Sequence, residues 1–238
     1  LSGYYAQNGL VQKGRDLFIT KHGQDAYNKT ARIKPSVVIG IPFHGDVDHE
    51  FVSSLLSLGQ PGGAGGVVFA KTVRTLISPA RNLLAQAAID HDAQFLLFVD
   101  SDMVFNGQSL IRLMQRACDP NISIIGGLAF KRNAPFEPCI MNRVKDKWRY
   151  CQIPEPPGLY ELDAIGLAFA LIKTKVFKSL KKPYFYPDKE GLREDLNFCW
   201  NAKKAGHRVF VDSTIQVGHL GERIAIDYHL KKINDEIK

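Results

Sequence analysis

Alternating apolar and amphipathic stretches make up the first half of the chain. Residues 36–42 and 67–70 predict strands, and five consecutive apolar residues at 95–99 predict a strand that is buried on both faces. Helices are predicted over 51–58 and 78–89, between these strands. The resulting β-α-β-α-β order is typical of a parallel sheet with right-handed crossovers.

The pattern changes after Gly127, where shorter and more polar segments are interrupted by prolines. These segments predict strands and loops that do not repeat the earlier winding. The remaining predicted elements are a helix over 108–117, a strand over 122–125, an apolar run over 163–172, a helix over 196–205, strands over 209–211 and 215–217, and a terminal helix over 222–237. The glycine-rich segment 59–66 predicts a loop, and it lacks the Gly-Lys-Ser/Thr ending of a P-loop.

Length and composition favour one large folded domain. A chain of 238 residues can bury a sizeable α/β core, and 45% hydrophobic with 23% charged residues is ordinary for a globular protein. Residues 1–34 are polar and weakly periodic, which predicts an N-terminal extension. The domain itself is predicted over 35–238.

Charge and cysteine usage predict the surroundings of the protein. The formal net charge of +7 suits a polyanionic or phosphorylated partner. No apolar stretch approaches the roughly 18 residues of a membrane span, so no span is predicted. The four cysteines have no CxxC spacing, which favours free thiols in a reducing compartment and therefore a cytoplasmic location.

An acid pair directly follows the most apolar strand. Asp100 and Asp102 lie at its predicted carboxyl end, where ligands of open α/β sheets bind. Two carboxylates this close repel each other unless a cation lies between them or their partners. The sequence therefore predicts a Mg²⁺ or Mn²⁺ site that carries a phosphate-containing ligand.

Two later segments have residue types that suit the same site. Glu194 and Asp195 begin a predicted helix, and His219 lies in a Val-Gly-His-Leu-Gly segment near the end of the chain. Together with the Asp-Ser-Asp turn, the order of these motifs resembles the metal-dependent GT-A glycosyltransferases, and among them family 2. The resemblance runs from about residue 35 to about residue 221.

The resemblance implies a fold and its division. It implies a single Rossmann-like α/β domain with a central, mostly parallel sheet flanked by helices. The nucleotide-sugar half would cover about 35–127, and the acceptor half about 128–238. A processive polysaccharide synthase is disfavoured, because neither membrane helices nor a QxxRW-like motif is present.

The same resemblance assigns the metal ligands, with Mn²⁺ or Mg²⁺ as the cofactor. Asp102 would bind the metal directly, while Asp100 would reach the ribose or a metal-bound water. His219 would complete the coordination, and an imidazole nitrogen suits Mn²⁺ better than Mg²⁺. A loop histidine that hydrogen-bonds the backbone is the alternative interpretation of His219.

It also assigns the base of an inverting transfer. Asp195 would take the proton of the acceptor hydroxyl, and Glu194 would assist it or bind the acceptor. Acids in a first helical turn also stabilise the helix dipole, whatever the protein does.

The donor-binding residues follow from the resemblance as well. The nucleotide contacts would come from Pro42, Phe43, Asp46, Arg81, Asn82, Asp100 and Ser101. A surface position on the helix is the alternative interpretation of Arg81. Asp163 and Gly166 would lie near the acceptor or the donor sugar, and Lys131 and Arg132 would contact phosphate.

The leading functional hypothesis is a metal-dependent, inverting transfer from a nucleotide sugar, a UDP-sugar by preference, to an acceptor hydroxyl. Hydroxymethylated bases in DNA are one candidate acceptor, as in phage-type DNA glycosylating enzymes, and a surface glycan or a protein is the competitor. A nucleotidyltransferase is disfavoured, since no Gly-rich, basic signature follows the first strand. A non-catalytic nucleic-acid-binding module explains the charge but leaves the acids without a role.

Overall fold

The computed structural model describes residues 36–59, 66–187 and 193–220. Its strands are β1 (Val37–Phe43), β2 (Val67–Val73), β3 (Phe95–Val99), β4 (Met103–Phe105), β5 (Ile124–Ala129), β6 (Ile140–Val144), β7 (Lys147–Tyr150), β8 (Leu159–Leu162), β9 (Ala164–Ile165), β10 (Phe169–Lys173) and β11 (Val209–His219). Its helices are α1 (His49–Ser57), α2 (Ile77–Asp90), α3 (Ser109–Ala117), α4 (Lys175–Ser179) and α5 (Glu194–Lys204).

An eight-stranded sheet organises the domain, with the order β2-β1-β3-β10-β5-β11-β4 and with β8 also paired to β11. Strands β1, β2, β3, β5 and β11 run in one direction, while β4, β8 and β10 run in the other. The predicted α/β class with a mostly parallel sheet is therefore confirmed. A second sheet of β7, β6 and β9 lies in the later half.

Helices cover both faces of the large sheet and form two cores. On one face, Phe51 of α1 and Leu110 of α3 pack against alternate residues of β1 and β3. On the other face, Leu84 of α2 and Phe198 of α5 do the same. Each of these four side chains is at most 1% exposed, so each contributes roughly 1.5–3 kcal/mol of hydrophobic stabilisation.

The predicted elements of the first half are present, with small shifts at their ends. Strand β3 covers the predicted residues without a shift. Helix α2 begins at Ile77 with Leu76 as its N-cap, one residue before the predicted start at Ser78. The apolar run 163–172 is two strands, because Gly166 to Ala168 separates β9 in the small sheet from β10 in the large one.

Strand β11 contains a bulge that joins two predicted strands. Asp212 pairs with Gly127 and Gln216 pairs with Leu128, so three residues of β11 have no counterpart on β5. Asp212 is 1% exposed, and it holds the bulge by accepting hydrogen bonds from Arg116 at 2.8 Å and from the Thr214 N–H at 3.0 Å. Opposite the bulge, the backbone approaches Gly127 so closely that a Cβ there would lie 2.8 Å from the Ile215 carbonyl oxygen.

Some predictions concern residues outside the described ranges. These are the N-terminal extension over 1–34, the terminal helix over 222–237 and most of the glycine-rich loop. Within the described ranges, none of the helices has the length and apolar character needed to cross a membrane.

Candidate active site

The acid pair lies in the turn between β3 and β4, at the carboxyl edge of the parallel strands. The Asp100 N–H donates to the Ala168 carbonyl at 2.8 Å, which extends the β3–β10 pairing into the turn. The Leu220 N–H donates to the Asp102 carbonyl at 2.6 Å, and β11 pairs with β4 so that His219 lies opposite Met103. Strand pairing thus places His219 beside Asp102.

Asp102 and His219 form a hydrogen-bonded pair. The Nε2 atom of His219 lies 3.2 Å from Asp102 Oδ2, and its Nδ1 atom lies 3.0 Å from the carbonyl oxygen of Phe130, directly after β5. A carbonyl can only accept, so Nδ1 carries a proton and Nε2 faces the carboxylate. Both side chains are partly buried, at 20% exposure for His219 and 28% for Asp102.

This pairing lowers the pKa of Asp102 and raises the pKa of His219. Burial alone would raise the pKa of Asp102, but the hydrogen bond and charge of His219, together with Arg132, hold it below its ordinary value. Burial alone would lower the pKa of His219, but the hydrogen bond and charge of Asp102 raise it above its ordinary value. The pair is therefore an ion pair at mildly acidic pH.

The ion pair predicts a pH-dependent stability. The raised pKa of His219 gives stabilisation that is complete below the ordinary value of 6.5 and is lost as pH rises through the folded-state pKa. The lowered pKa of Asp102 gives stabilisation that is complete above 3.8 and is lost as pH falls through the folded-state pKa. In metal-free buffer, we expect the Tm advantage of the wild type over His219→Gln to shrink as pH rises above the ordinary value of 6.5 and through the raised pKa of His219. A constant advantage across this range would contradict the ion pair.

Arg81 connects the acid turn to helix α5. Its Nη2 atom donates to both Asp100 oxygens, at 3.3 and 3.2 Å, and its Nε atom lies 3.7 Å from Glu194 Oε1. The arginine is 3% exposed, and Nη1 has no hydrogen-bond partner among the described residues. Burial raises the pKa of Asp100 against the attraction of Arg81, and it raises the pKa of Glu194 in the same way. The two carboxylates therefore share one buried guanidinium.

Asp195 is the most buried acid of the group. Asp195 is 3% exposed. Its Oδ1 atom accepts a hydrogen bond from the Leu196 N–H at 2.8 Å, and its Oδ2 atom lies 3.1 Å from Arg193 Nη2. The pKa of Arg193 is raised by the Asp195 charge. Glu194 and Asp195 also occupy the first turn of α5, where they complement its dipole. Arg193, which is adjacent in sequence, was not predicted as part of the site, although a cation beside two acids was a usable signal.

The carboxylate and imidazole of the Asp102–His219 pair fit a divalent cation. No group of three or more His, Cys, Asp or Glu side chains within the described ranges is placed to hold a metal. Two ligands at right angles on a Mn²⁺ or Mg²⁺ ion lie about 3 Å apart, which matches the observed 3.2 Å. A cation held by one carboxylate, one imidazole and substrate phosphates needs no third protein ligand. The Phe130 carbonyl fixes the tautomer that such a ligand requires.

The residues predicted to frame the nucleotide lie at the end of β1 and in the following loop. Pro42 is buried in β1, and Phe43 packs edge-to-face on Phe51 with ring centroids 6.2 Å apart. Asp46 is exposed, and Ser101 is half-buried in the acid turn. Their nucleotide contacts stay predictions.

Asp163 and Gly166 lie in the later half of the chain. Asp163 pairs with Lys203 and accepts from the Arg143 N–H at 2.6 Å, which links α5 to the small sheet. A Cβ at Gly166 would lie 2.9 Å from Cys139 Cβ, so this glycine allows close packing. Within the part of the chain that the structure describes, neither residue hydrogen-bonds the acid turn or Asp195, and their sugar-binding roles stay predictions.

Asn82 of α2 forms hydrogen bonds with the backbone of residues 184–185. Its amide donates to the Ser78 and Phe185 carbonyls at 2.9 and 2.7 Å, and its oxygen accepts from the Tyr184 and Phe185 N–H groups at 2.8 and 3.2 Å. These bonds use both donors and both lone pairs of the amide. A nucleotide contact by Asn82 stays a prediction. It would require one of these hydrogen bonds to break so that the amide can bind the nucleotide.

Asn82→Ala tests which of these roles matters. We expect a loss of about 1–3 kcal/mol in the free energy of unfolding, because two backbone N–H groups and two carbonyls each lose a hydrogen bond. Denaturant titration measures the loss, and a UDP titration measures donor affinity. Unchanged stability with weakened UDP binding would instead place Asn82 at the nucleotide.

Comparisons with known proteins bear on the fold. No family model matches the sequence, and no curated protein matches it. The crystal structure of A197 from STIV aligns with a TM-score of 0.56 and 17% identity, over 77% of this chain and 85% of that chain. The structure of GalNAc-T7 with UDP, GalNAc and Mn²⁺ aligns with a TM-score of 0.55 and 12% identity, over 85% of this chain and 48% of that chain. At such low identity the likeness shows the fold, and it confirms the predicted GT-A type of α/β architecture.

Proposed function

We propose that this protein is a metal-dependent glycosyltransferase that moves a sugar from a UDP-sugar to an acceptor hydroxyl. The observation that carries the proposal is the grouping of Asp102 with His219, and of Asp100, Arg81 and Glu194, at the carboxyl edge of the sheet. Ligands of open α/β sheets bind at this edge. The choice of UDP rests on the GalNAc-T7 structure, which shares the fold and contains UDP and Mn²⁺.

Asp102 and His219 would hold Mn²⁺ or Mg²⁺ in this proposal. When bound, the metal would offset the charge that grows on the departing diphosphate. Asp100, held by Arg81, would be oriented toward the ribose or a metal-bound water. Because Arg81 also contacts Glu194, the same arginine holds Asp100 on the donor side and the first residue of α5.

Asp195 would act as the base of an inverting transfer. The acceptor oxygen attacks the anomeric carbon, the bond to the diphosphate breaks, and the acceptor proton passes to Asp195. The side chain of Arg193 is 57% exposed, so it can leave the carboxylate for water when the acceptor arrives. Glu194 would act as a positioning residue through its contact with Arg81.

The acceptor is proposed as an alcohol on an anionic partner. The net charge of +7 favours DNA that carries hydroxymethylated bases. A surface glycan or protein is the alternative, and an assay that offers both classes with a labelled UDP-sugar distinguishes them.

A thermal-shift panel of nucleoside diphosphates, with and without Mn²⁺, tests the proposed donor site. Ligand at 100 times its Kd stabilises the folded protein by about 2.7 kcal/mol, which raises Tm by about 5 °C or more for a chain of this size. We expect UDP with Mn²⁺ to produce this shift, and UDP or Mn²⁺ alone to produce much less. If no nucleoside diphosphate raises Tm in the presence of Mn²⁺, the proposed function fails.

A further inference from the structure

The guanidinium of Arg132 lies beside both proposed metal ligands. Its Nη2 atom contacts Asp102 Oδ2, the same oxygen that faces His219. The same nitrogen lies 3.4 Å from His219 Nε2. An internal cation therefore occupies the position from which a metal would bind both side chains.

Arg132 is the most exposed member of this group. Its side chain is 50% exposed, against 28% for Asp102. It lies on a short loop that Lys131 and Glu137 close, through a backbone hydrogen bond of 2.9 Å and an ion pair of 2.6 Å. Within the described residues, its guanidinium contacts the side chains of Asp102 and His219. The side chain can therefore move without opening the loop.

A diphosphate would be a stronger partner for Arg132 than the carboxylate is. A diphosphate carries more negative charge, and its paired oxygens match the planar fork of a guanidinium. A metal on Asp102 would also repel the guanidinium through their like charges.

We propose that Arg132 holds the metal position in the ligand-free protein and transfers to the donor diphosphate when the metal binds. This inference rests on the proposed function, because it assumes a diphosphate ligand at Asp102. Its consequence is positive cooperativity, since Mn²⁺ alone must displace Arg132, while UDP provides the arginine with a new partner. By linkage, Mn²⁺ and UDP increase each other's affinity by the same factor.

The test compares Arg132→Gln with the wild type in two titrations. Electron paramagnetic resonance counts free Mn²⁺ and gives its Kd without nucleotide, and calorimetry gives the Kd of UDP at saturating Mn²⁺. We expect Arg132→Gln to bind Mn²⁺ alone about fivefold tighter or more, and to bind UDP with Mn²⁺ more weakly. The factor by which Mn²⁺ strengthens UDP binding then falls toward one.

Lys131→Gln is the matched control for charge. It removes one positive charge at the adjacent position. Lys131 was also predicted to contact phosphate, but in the structure its side chain contacts Glu137 instead of the acid turn. Long-range electrostatics predicts similar changes in both variants, whereas direct exchange predicts a much larger change for Arg132→Gln. Comparable effects in the two variants would overturn the exchange.

A second variant tests where the additional affinity arises. In the Asp102→Asn and Arg132→Gln double variant, the tighter Mn²⁺ binding must disappear, and its persistence would overturn the exchange. If Arg132→Gln binds Mn²⁺ no tighter than the wild type while the wild type still binds UDP with Mn²⁺, the exchange is wrong and the proposed function stands. If the wild type binds no UDP with Mn²⁺, the proposed function fails, and the exchange fails with it.

Discussion

Asp102→Asn is expected to remove Mn²⁺-dependent UDP binding and to lower sugar transfer by about 10²–10⁴-fold. The change keeps the size of the side chain but removes the charge that attracts the metal. A metal at a departing diphosphate supplies several kcal/mol of transition-state stabilisation, and each 1.36 kcal/mol corresponds to tenfold in rate. Initial rates with a UDP-sugar, measured across a Mn²⁺ series, give the loss and show whether higher metal concentrations restore the rate.

Asp146→Asn is the matched control for this prediction. The same chemical change is made at a side chain that is 94% exposed, in the turn between β6 and β7. We expect wild-type rates and an unchanged Mn²⁺ dependence. If Asp102→Asn retains the Mn²⁺ response at unchanged Tm, Asp102 is not a ligand of the proposed metal.

Asp195→Asn is expected to lower kcat by about 10²–10⁴-fold, which is the usual contribution of a general base. The Kd of UDP with Mn²⁺ should stay within about twofold of the wild type, because Asp195 contacts Arg193 and its own helix instead of the donor side. Steady-state kinetics and calorimetry separate the two quantities. A variant that keeps the wild-type kcat would show that another group takes the proton.

Glu194→Gln distinguishes the two neighbouring acids. Glu194 contacts Arg81, which holds Asp100, so its loss should weaken donor binding more than it lowers kcat. We therefore expect opposite patterns in the two variants. Asp195→Asn should mainly lower kcat, and Glu194→Gln should mainly raise the Kd of UDP with Mn²⁺. A larger fall in kcat for Glu194→Gln would reverse the proposed roles.

The first half of the fold was predictable because its signals are local. The run 95–99 ends abruptly in two carboxylates, and both features survive unchanged as β3 and its turn. The reversed direction of β10 was not predictable, because a run buried on both faces has the same composition in either orientation. Only its antiparallel pairing with β3 reveals the difference.

The residue types at the candidate site were predictable, but their partners were not. The partners arise from tertiary contacts between distant segments, such as Arg81 with Glu194 and His219 with the Phe130 carbonyl. A backbone carbonyl has no sequence signature at all. Arg132 was predicted as a phosphate contact, and in the structure it contacts Asp102, the carboxylate that we propose binds the metal.

The bulge in β11 determines on which face of the sheet each side chain at the end of that strand lies. Before the bulge, odd-numbered residues such as Val211 belong to the core under α2 and α5, and after it odd-numbered residues such as Val217 belong to the core under α1 and α3. Three extra residues are an odd number, so they invert the parity of a strand whose side chains alternate with a period of two. If β11 kept its regular alternation through residues 213–215, odd-numbered residues such as Val217 and His219 would lie on the face under α2 and α5 instead. The direction in which His219 points therefore depends on a bulge earlier in its own strand.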